Sequence, residues 1–270
     1  MAPNEILRIF ETATLFFRKR YLELCWGKYN IDDPVEAASI FLEGYAFEHQ
    51  GRNPSFSPAA IEAIKMSEGA KDSDDFPLTV WANFCKLLNN KGLANKTNPL
   101  CHPLCHPMKS EKCIWCALDS KNIVLSSMQD LKAGQIQDAR ERLKKIRGVG
   151  NKIASLFLRD LAMRYNLDLK NTQDRWLLQP IDVWVSRIVQ SLNDDSKMNN
   201  EKVAKWIVAN SNEMGINPEQ CNQGMWYFGA RIAESDFKLH KSLQNIDYAK
   251  EIFEEHVAVL KTLVHNRPIT

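Results

Sequence analysis

A lysine follows directly behind two closely spaced glycines in the stretch KKIRGVGNKIASLFL, which spans residues 144–158. Gly148 and Gly150 permit a very tight reversal of the chain, and they leave backbone N–H groups bare where the next helical pattern begins. A helix N-terminus of this kind can bind a phosphate through its unpaired donors and its positive dipole end. Lys152 could then be a solvated charge, a phosphate clamp or an amine placed to form a covalent bond.

The charge around these glycines is strongly positive, whereas the whole chain has a formal net charge of only +2. Between positions 140 and 152 one acidic residue, Glu141, stands among six basic ones, which are Arg140, Arg142, Lys144, Lys145, Arg147 and Lys152. Any affinity for nucleic acid must therefore come from local clusters of basic residues such as this one. Two helices joined by a glycine turn with basic flanks suit contact with a DNA backbone. The alternative is a tight helix–helix turn with a solvated face.

The segment IRGVGNKIA resembles the helix-hairpin-helix motif of the endonuclease III type of DNA glycosylases, whose pattern is roughly L-P-G-V-G-x-K-T-A. Arg147 stands in place of the usual proline, and Ile153 in place of the usual threonine. In that superfamily a lysine at the position of Lys152 marks bifunctional enzymes, which excise a base and then cleave the strand. The residues expected to bind DNA phosphate are Gly148, Gly150, Arg147 and Asn151.

The same resemblance requires an aspartate downstream, at the start of another helix. The segment PIDVWV supplies Asp182 beside the helix-start signal Pro180, and it is similar to the family's step P-V-D-x-H-V, with Trp184 in the histidine position. The alternative role for Asp182 is that of an acidic residue at a helix N-terminus, worth a few tenths of a kcal/mol. The long connection between Lys152 and Asp182 resembles that of the archaeal GO glycosylases, which act on 8-oxoguanine.

What the resemblance implies about chemistry is specific. Lys152 would attack C1′ of the sugar once the damaged base has left the stack, forming a Schiff base before β-elimination. Asp182 would stabilise the positive charge that develops on the sugar and help to move protons. The attacking amine must be neutral, and we expect partial burial and the positive end of the following helix to disfavour its ammonium form.

Candidates for the base pocket lie in NQGMWYFGARI, where Asn222 and Trp226 are one helical turn apart. We expect Trp226 to stack on the extruded base and Asn222 or Gln223 to hydrogen-bond to its edge. Trp184 is a further candidate for the lining of the site. The alternative is that this aromatic helix belongs to the core.

Four cysteines in CHPLCHPMKSEKCIWC indicate a metal site with C-x3-C-x7-C-x2-C spacing; they are Cys101, Cys105, Cys113 and Cys116. Four thiolates suit zinc, our first prediction, or a [4Fe-4S] cluster. Endonuclease III relatives carry such a cluster on a C-terminal loop with another spacing, so that precedent transfers poorly. The predicted role is structural, and the base-excision chemistry needs no cofactor.

Helical periodicity dominates the chain and predicts an all-α protein. The resemblance implies a single HhH-GPD glycosylase domain over residues 1–270, with two helical subdomains and the active site in the cleft between them. The expected segments are an N-terminal helical part at about 1–95, a Cys-rich loop at 96–118, a catalytic part at 119–240 and a C-terminal helix at 241–266. No apolar run is long enough to cross a membrane.

These features predict a DNA base-excision glycosylase with AP-lyase activity that removes an oxidised base, with 8-oxoguanine as the first candidate. The alternatives are an oxidised-pyrimidine glycosylase like endonuclease III, a non-catalytic helix-hairpin-helix DNA-binding protein, and an RNA- or chromatin-associated zinc protein. The expected partner is double-stranded DNA containing a damaged base, bound by a monomer. The seven cysteines do not suit a secreted disulfide scaffold, so we expect an intracellular protein of the cytoplasm and nucleoid, or of the nucleus in a eukaryote.

Overall fold

The computed structural model describes residues 3–47, 54–93, 103–104, 106–109, 111–118, 122–169 and 173–265. These ranges are helical and contain no β-strand, which confirms the predicted all-α class. None of the helices within them is both long and apolar enough to cross a membrane.

The α-helices make up most of the described residues. In chain order they are α1 (Pro3–Phe17), α2 (Glu23–Trp26), α3 (Pro34–Gly44), α4 (Phe56–Met66), α5 (Phe76–Asn90), α6 (Ile114–Ala117), α7 (Ile123–Lys132), α8 (Ile136–Lys144), α9 (Asn151–Arg164), α10 (Val183–Leu192), α11 (Asn200–Glu213), α12 (Pro218–Tyr227), α13 (Asp236–Gln244) and α14 (Ile246–His265). Within the described ranges two further segments are π-helical, Arg18–Leu22 and Phe228–Ala233.

The C-terminal helix is shorter than predicted. Residues 241–244 belong to α13, and Asn245 interrupts the helix in an extended conformation with φ −134° and ψ 106°. The Asn245 side chain accepts hydrogen bonds from the N–H groups of Asp247 and Tyr248 at 3.0 and 3.1 Å. An asparagine in this conformation caps the next helix, so a new helix begins here.

The chain divides into two compact units. The first unit comprises Met1–Tyr21 and Gln179–Thr270, and the second unit is Leu22–Leu178. The N-terminal helix therefore belongs with the C-terminal elements, a grouping that the order of the sequence segments does not indicate.

In the first unit α1 crosses α12 at very short range. A Cβ atom on Gly224 would lie 1.7 Å from the carbonyl oxygen of Phe10, so only glycine permits this approach. Nearby, the Thr14 hydroxyl donates to the carbonyl of Gln220. The close contact fixes α12, and with it the residues that precede Asp182.

In the second unit α9 is the central helix. The Phe157 ring stacks on Trp26 with centroids 5.8 Å apart and meets the ring of Phe41 edge-on at 5.1 Å. One turn further, the Arg159–Asp160 ion pair is almost fully buried. These contacts anchor α9, so the turn that precedes it is attached to a rigid element.

Candidate nucleic-acid interface

A tight turn joins α8 to α9, as the sequence predicts, and we call residues 145–150 the hairpin. Within the hairpin, all of which the structure describes, only Gly148 has a positive φ, at 81°. The N–H of Val149 donates to the carbonyl of Ile146 at 3.1 Å and closes the turn. Glycine is therefore required at 148 for conformational reasons.

Gly150 differs from Gly148, because neither its conformation nor its packing requires a glycine. Its φ of −103° and ψ of −173° are extended values that any residue adopts. A Cβ atom there would meet no described atom within 4 Å. Neither the conformation nor the packing of the described chain demands glycine, and its absent side chain leaves room for a bound group to approach the backbone.

The first turn of α9 is open to an anion. Gly150 is the N-cap residue, and no side chain in the described ranges caps this helix end. Gly150, Asn151 and Lys152 are all exposed. A 14-residue helix with bare, exposed N–H groups presents donors and a positive dipole end to solvent.

Lys152 is the second residue of α9 and is exposed. The prediction of partial burial was wrong, because the side chain leaves the helix on its solvent face while Ile153 and Ala154 enter the core. The prediction that Lys152 lies at the positive end of a helix is confirmed. Its amine is accessible to a large partner such as a nucleic acid.

Two of the six basic residues in this region pair with nearby acids. Arg142 forms an ion pair with Asp130, and Lys144 pairs with Glu141 at 2.8 Å. The other four residues, Arg140, Lys145, Arg147 and Lys152, form no ion pair with a described residue, and they supply the positive charge available to a partner.

Arg140 and Arg147 are half-buried, and the Nε atom of each is buried without an acceptor among the described residues. Burial also lowers the pKa of Arg140, because desolvation disfavours its charged form. The Arg147 guanidinium is attached three residues before Gly150, the N-cap of α9, and is therefore suited to bind an anion at this helix end.

Asp182 is the N-cap residue of α10, which confirms its predicted place at a helix start. Its Oδ1 accepts a hydrogen bond from the N–H of Val185 at 2.9 Å, and the residue is half-buried. Asp182 therefore has the structural role at a helix start that was the alternative, and it fills that role as an N-cap. This capping occupies one carboxylate oxygen and is compatible with a second role for the group.

Two side-chain hydrogen bonds tie the residues before Asp182 to α12. Gln179 Nε2 donates to Glu219 Oε1 at 3.1 Å, and Asn222 Nδ2 donates to the Pro180 carbonyl at 3.3 Å. Asn222 and Gln223 are fully buried. This favours the core interpretation of both amides over the predicted contact with a base edge.

Trp226 is half-buried within an aromatic cluster of the first unit. Its ring meets Phe17 and Tyr21 edge-on at 5.6 and 5.4 Å. The guanidinium of Arg231 lies 6.0 Å from the Trp226 ring, and its Nε donates to the Tyr21 hydroxyl at 2.9 Å. Tyr21 and Arg231 belong to the two π-helical segments, which sequence periodicity did not reveal.

Trp184, the residue in the family's histidine position, is also packed. A Cβ atom on Gly229 would lie 2.9 Å from the Cβ of Trp184, and Arg187 covers the Trp184 ring at 5.6 Å. The tryptophan thus fits because residue 229 is a glycine. One face of its ring is covered by protein.

The predicted metal site is described only in part. Cys101 and Cys105 lie outside the described residues, whereas Cys113 is buried and Cys116 is exposed. The chain around Cys113 is held by a hydrogen bond from the Ile114 N–H to the Pro103 carbonyl at 2.9 Å. Zinc or cluster binding stays a prediction from the four thiols.

Comparison with known proteins leaves the family open. No family model and no solved structure matches the chain. The chain is similar to the uncharacterized protein MJECL21 of Methanocaldococcus jannaschii, with 35% identity over 211 residues that cover 70% of this chain and 47% of that protein. It therefore spans about half the length of this curated relative.

Proposed function

We propose that the protein is a DNA glycosylase with AP-lyase activity that removes an oxidised base, 8-oxoguanine being the first candidate. The observation that carries the proposal is the exposed amine of Lys152 at the uncapped N-terminus of α9, directly behind the Gly148 turn. The helix-capping Asp182 in its PIDVWV context supports it. A pure binding module could use the Lys152 amine to contact a phosphate, but it needs no carboxylate at the position of Asp182.

In the proposed reaction the hairpin holds a DNA phosphate through the N–H groups of Gly148, Gly150 and Asn151, with Arg147 contributing charge. The Lys152 nitrogen donates its lone pair to C1′, and the glycosidic bond breaks with its electron pair leaving on the base. The nitrogen then loses a proton and the C1′–O4′ bond breaks, with its electron pair leaving on O4′, which opens the sugar ring and gives a Schiff base. The Schiff base loses a proton from C2′, and the C3′–O bond breaks with its electron pair leaving on the phosphate oxygen. Asp182 stabilises the positive charge that develops at C1′ and moves protons.

The four cysteines, Cys101, Cys105, Cys113 and Cys116, are proposed to bind a structural zinc ion, with a [4Fe-4S] cluster as the alternative. Thiolate ligation would fix a loop that has little core of its own. The partner is double-stranded DNA with a damaged base, bound by a monomer. Such a protein acts where the chromosome is, in the cytoplasm and nucleoid or in the nucleus.

Imine trapping tests the proposal. The full chain is incubated with duplexes that each hold one lesion (8-oxoguanine, an oxidised pyrimidine or an abasic site), with borohydride present to reduce an imine to a stable amine. We expect a covalent adduct with wild type, none with Lys152→Ala, and an undiminished adduct with Lys65→Ala. Lys65 is the matched control, an exposed lysine of α4 that lies outside the basic run.

The outcomes separate the candidate functions. An adduct with oxidised pyrimidine but not 8-oxoguanine assigns the endonuclease III-like activity. The exposure of Lys152 favours a second candidate, a non-catalytic helix-hairpin-helix protein in which this lysine contacts phosphate. Tight duplex binding without an adduct on any lesion or abasic site would establish that candidate and refute the lyase.

A further inference from the structure

We propose that the Cys-rich segment, defined here as residues 111–118, positions the hairpin for DNA through a backbone hydrogen bond from Arg147 to Lys112. This inference rests on the proposed DNA binding and names a positioning element for it. The segment otherwise has no part in the proposed chemistry.

The contact is direct and made by main-chain atoms. The Arg147 N–H donates to the Lys112 carbonyl at 2.8 Å. Arg147 immediately precedes Gly148, whose positive φ defines the turn. The bond therefore acts on the hairpin at the residue where the chain reverses.

The identity of residue 147 makes this bond possible. In the motif that the hairpin resembles, this position is a proline, which has no N–H and could not donate. The departure from the motif is thus matched by a hydrogen bond that only a non-proline residue can form. The half-buried Arg147 side chain stays next to the same turn.

The other end of the link is firmly held. Cys113 and Ile114 are 1% and 0% exposed, and the Ile114 N–H donates to the Pro103 carbonyl at 2.9 Å. The Trp115 ring meets Phe76 of α5 edge-on at 5.4 Å. The carbonyl of Lys112 is therefore offered by a segment that is packed into the second unit.

A hairpin that is already ordered binds DNA more tightly than one that must be ordered on binding. Glycine-containing turns lose much conformational entropy when they are ordered, and ordering them beforehand removes that loss from the binding step. Lys112 and Lys145 are both exposed beside this turn. The Cys-rich segment thereby extends the basic surface of the hairpin as well as holding it.

The test compares Arg147→Pro with Arg147→Ala in the full chain. Both variants lose the guanidinium, but only the proline removes the N–H. Hydrogen exchange followed by mass spectrometry reports on residues 111–118 and 148–152, and fluorescence anisotropy reports duplex affinity. We expect Arg147→Ala to exchange like wild type, and Arg147→Pro to exchange faster in both regions and to bind duplex about fivefold more weakly than Arg147→Ala.

A second variant covers the case in which Arg147→Pro does not fold. Ile114→Ala loosens the anchor of the segment without touching the hairpin, and it should speed exchange of the Arg147 amide, followed by NMR. Equal exchange and affinity in the two Arg147 variants, or an Arg147 amide unaffected by Ile114→Ala, overturns the inference. If wild type binds no duplex, the proposed function is refuted, and so is the role of the Arg147–Lys112 hydrogen bond in DNA binding. The exchange data would still show whether this hydrogen bond orders the hairpin.

Discussion

The side-chain amide of Asn222 donates a hydrogen bond to the main-chain carbonyl of Pro180 at 3.3 Å, two residues before Asp182. Both residues are buried, so the carbonyl has no access to water as a replacement. This bond connects α12 to the backbone that leads into α10. It gives Asn222 a positioning role where the sequence suggested contact with a base.

Replacing Asn222 by alanine should destabilise the protein by about 1–3 kcal/mol, because the buried Pro180 carbonyl loses a donor. The imine-trapping rate should fall as well, since the chain before Asp182 is less well fixed. Denaturant unfolding and the trapping assay measure the two effects. Asn210→Ala is the control, because the Asn210 amide donates to the Trp206 carbonyl within one helix. Equal losses in both variants would argue against the positioning role.

Gly150→Ala should separate binding from stability. Because the conformation suits alanine and no described atom lies within 4 Å of the new Cβ, the free energy of unfolding should change by less than about 1 kcal/mol. The methyl group would obstruct a phosphate at the N-terminus of α9, so duplex affinity should fall several-fold. Gly69→Ala, which also meets no described atom, is the control for both measurements. Unchanged affinity would remove Gly150 from the phosphate site.

Gly224→Ala, unlike Gly150→Ala, should strongly lower the free energy of unfolding. The new Cβ would lie 1.7 Å from the Phe10 carbonyl oxygen, a backbone atom that cannot move unless α1 shifts. We expect a loss of about 3 kcal/mol or more in the free energy of unfolding, at the severe end of overpacking substitutions. Thermal and denaturant unfolding measure it. A variant as stable as wild type would show that α1 and α12 can separate freely.

Sequence reasoning succeeded where neighbouring residues decide the structure. The turn at Gly148, the start of α9 near Lys152 and the cap at Asp182 all follow from local chemistry. The link from Arg147 to Lys112 and the bond from Asn222 to Pro180 join residues far apart in the chain, and no local pattern encodes them.

Burial was the least predictable property. Lys152 was expected to be partly buried, but it lies on the solvent face of α9. Asn222 was expected to face a bound base, but it is enclosed because Gly224 lets α12 pack closely against α1. Hydrophobic periodicity places a helix face toward a core, but it does not reveal which polar residues at the edge of that face are covered.

Asp160→Asn should strongly destabilise the second unit. Asp160 Oδ1 accepts from Arg159 Nε and Nη2 at 2.9 and 2.7 Å, and its Oδ2 accepts from the Tyr45 hydroxyl at 3.2 Å. Asparagine keeps the shape of the side chain but removes the negative charge that lies 2.7 Å from the guanidinium of Arg159, which is 1% exposed, at a loss of about 3–5 kcal/mol. Asp236→Asn, which breaks an exposed pair with Arg187, should change stability by less than about 1 kcal/mol. Denaturant unfolding compares them, and similar small losses would contradict the buried-charge argument.

Stability should fall in alkaline solution because of buried thiols. Burial raises the pKa of Cys221 to about 12, and burial, followed by the nearby Glu43 carboxylate, raises that of Cys25 to about 12. An unfolded thiol ionises near ~8.5, so above that pH the unfolded chain has released a proton that the folded chain retains. The free energy of unfolding therefore decreases as pH rises, by about 1.4 kcal/mol per pH unit for each such thiol between roughly pH 9 and 12.

Cys221→Ala isolates one of these contributions. At pH 8 the variant should be less stable than wild type, because a fully buried side chain has been truncated. As pH rises above about 9, wild type loses stability through the ionisation of unfolded Cys221 and the variant does not, so the difference between them should shrink by about 1.4 kcal/mol per pH unit. Urea unfolding at pH 8, 9.5 and 10.5 measures it. A difference that stays constant with pH would show that the folded thiol ionises as readily as the unfolded one.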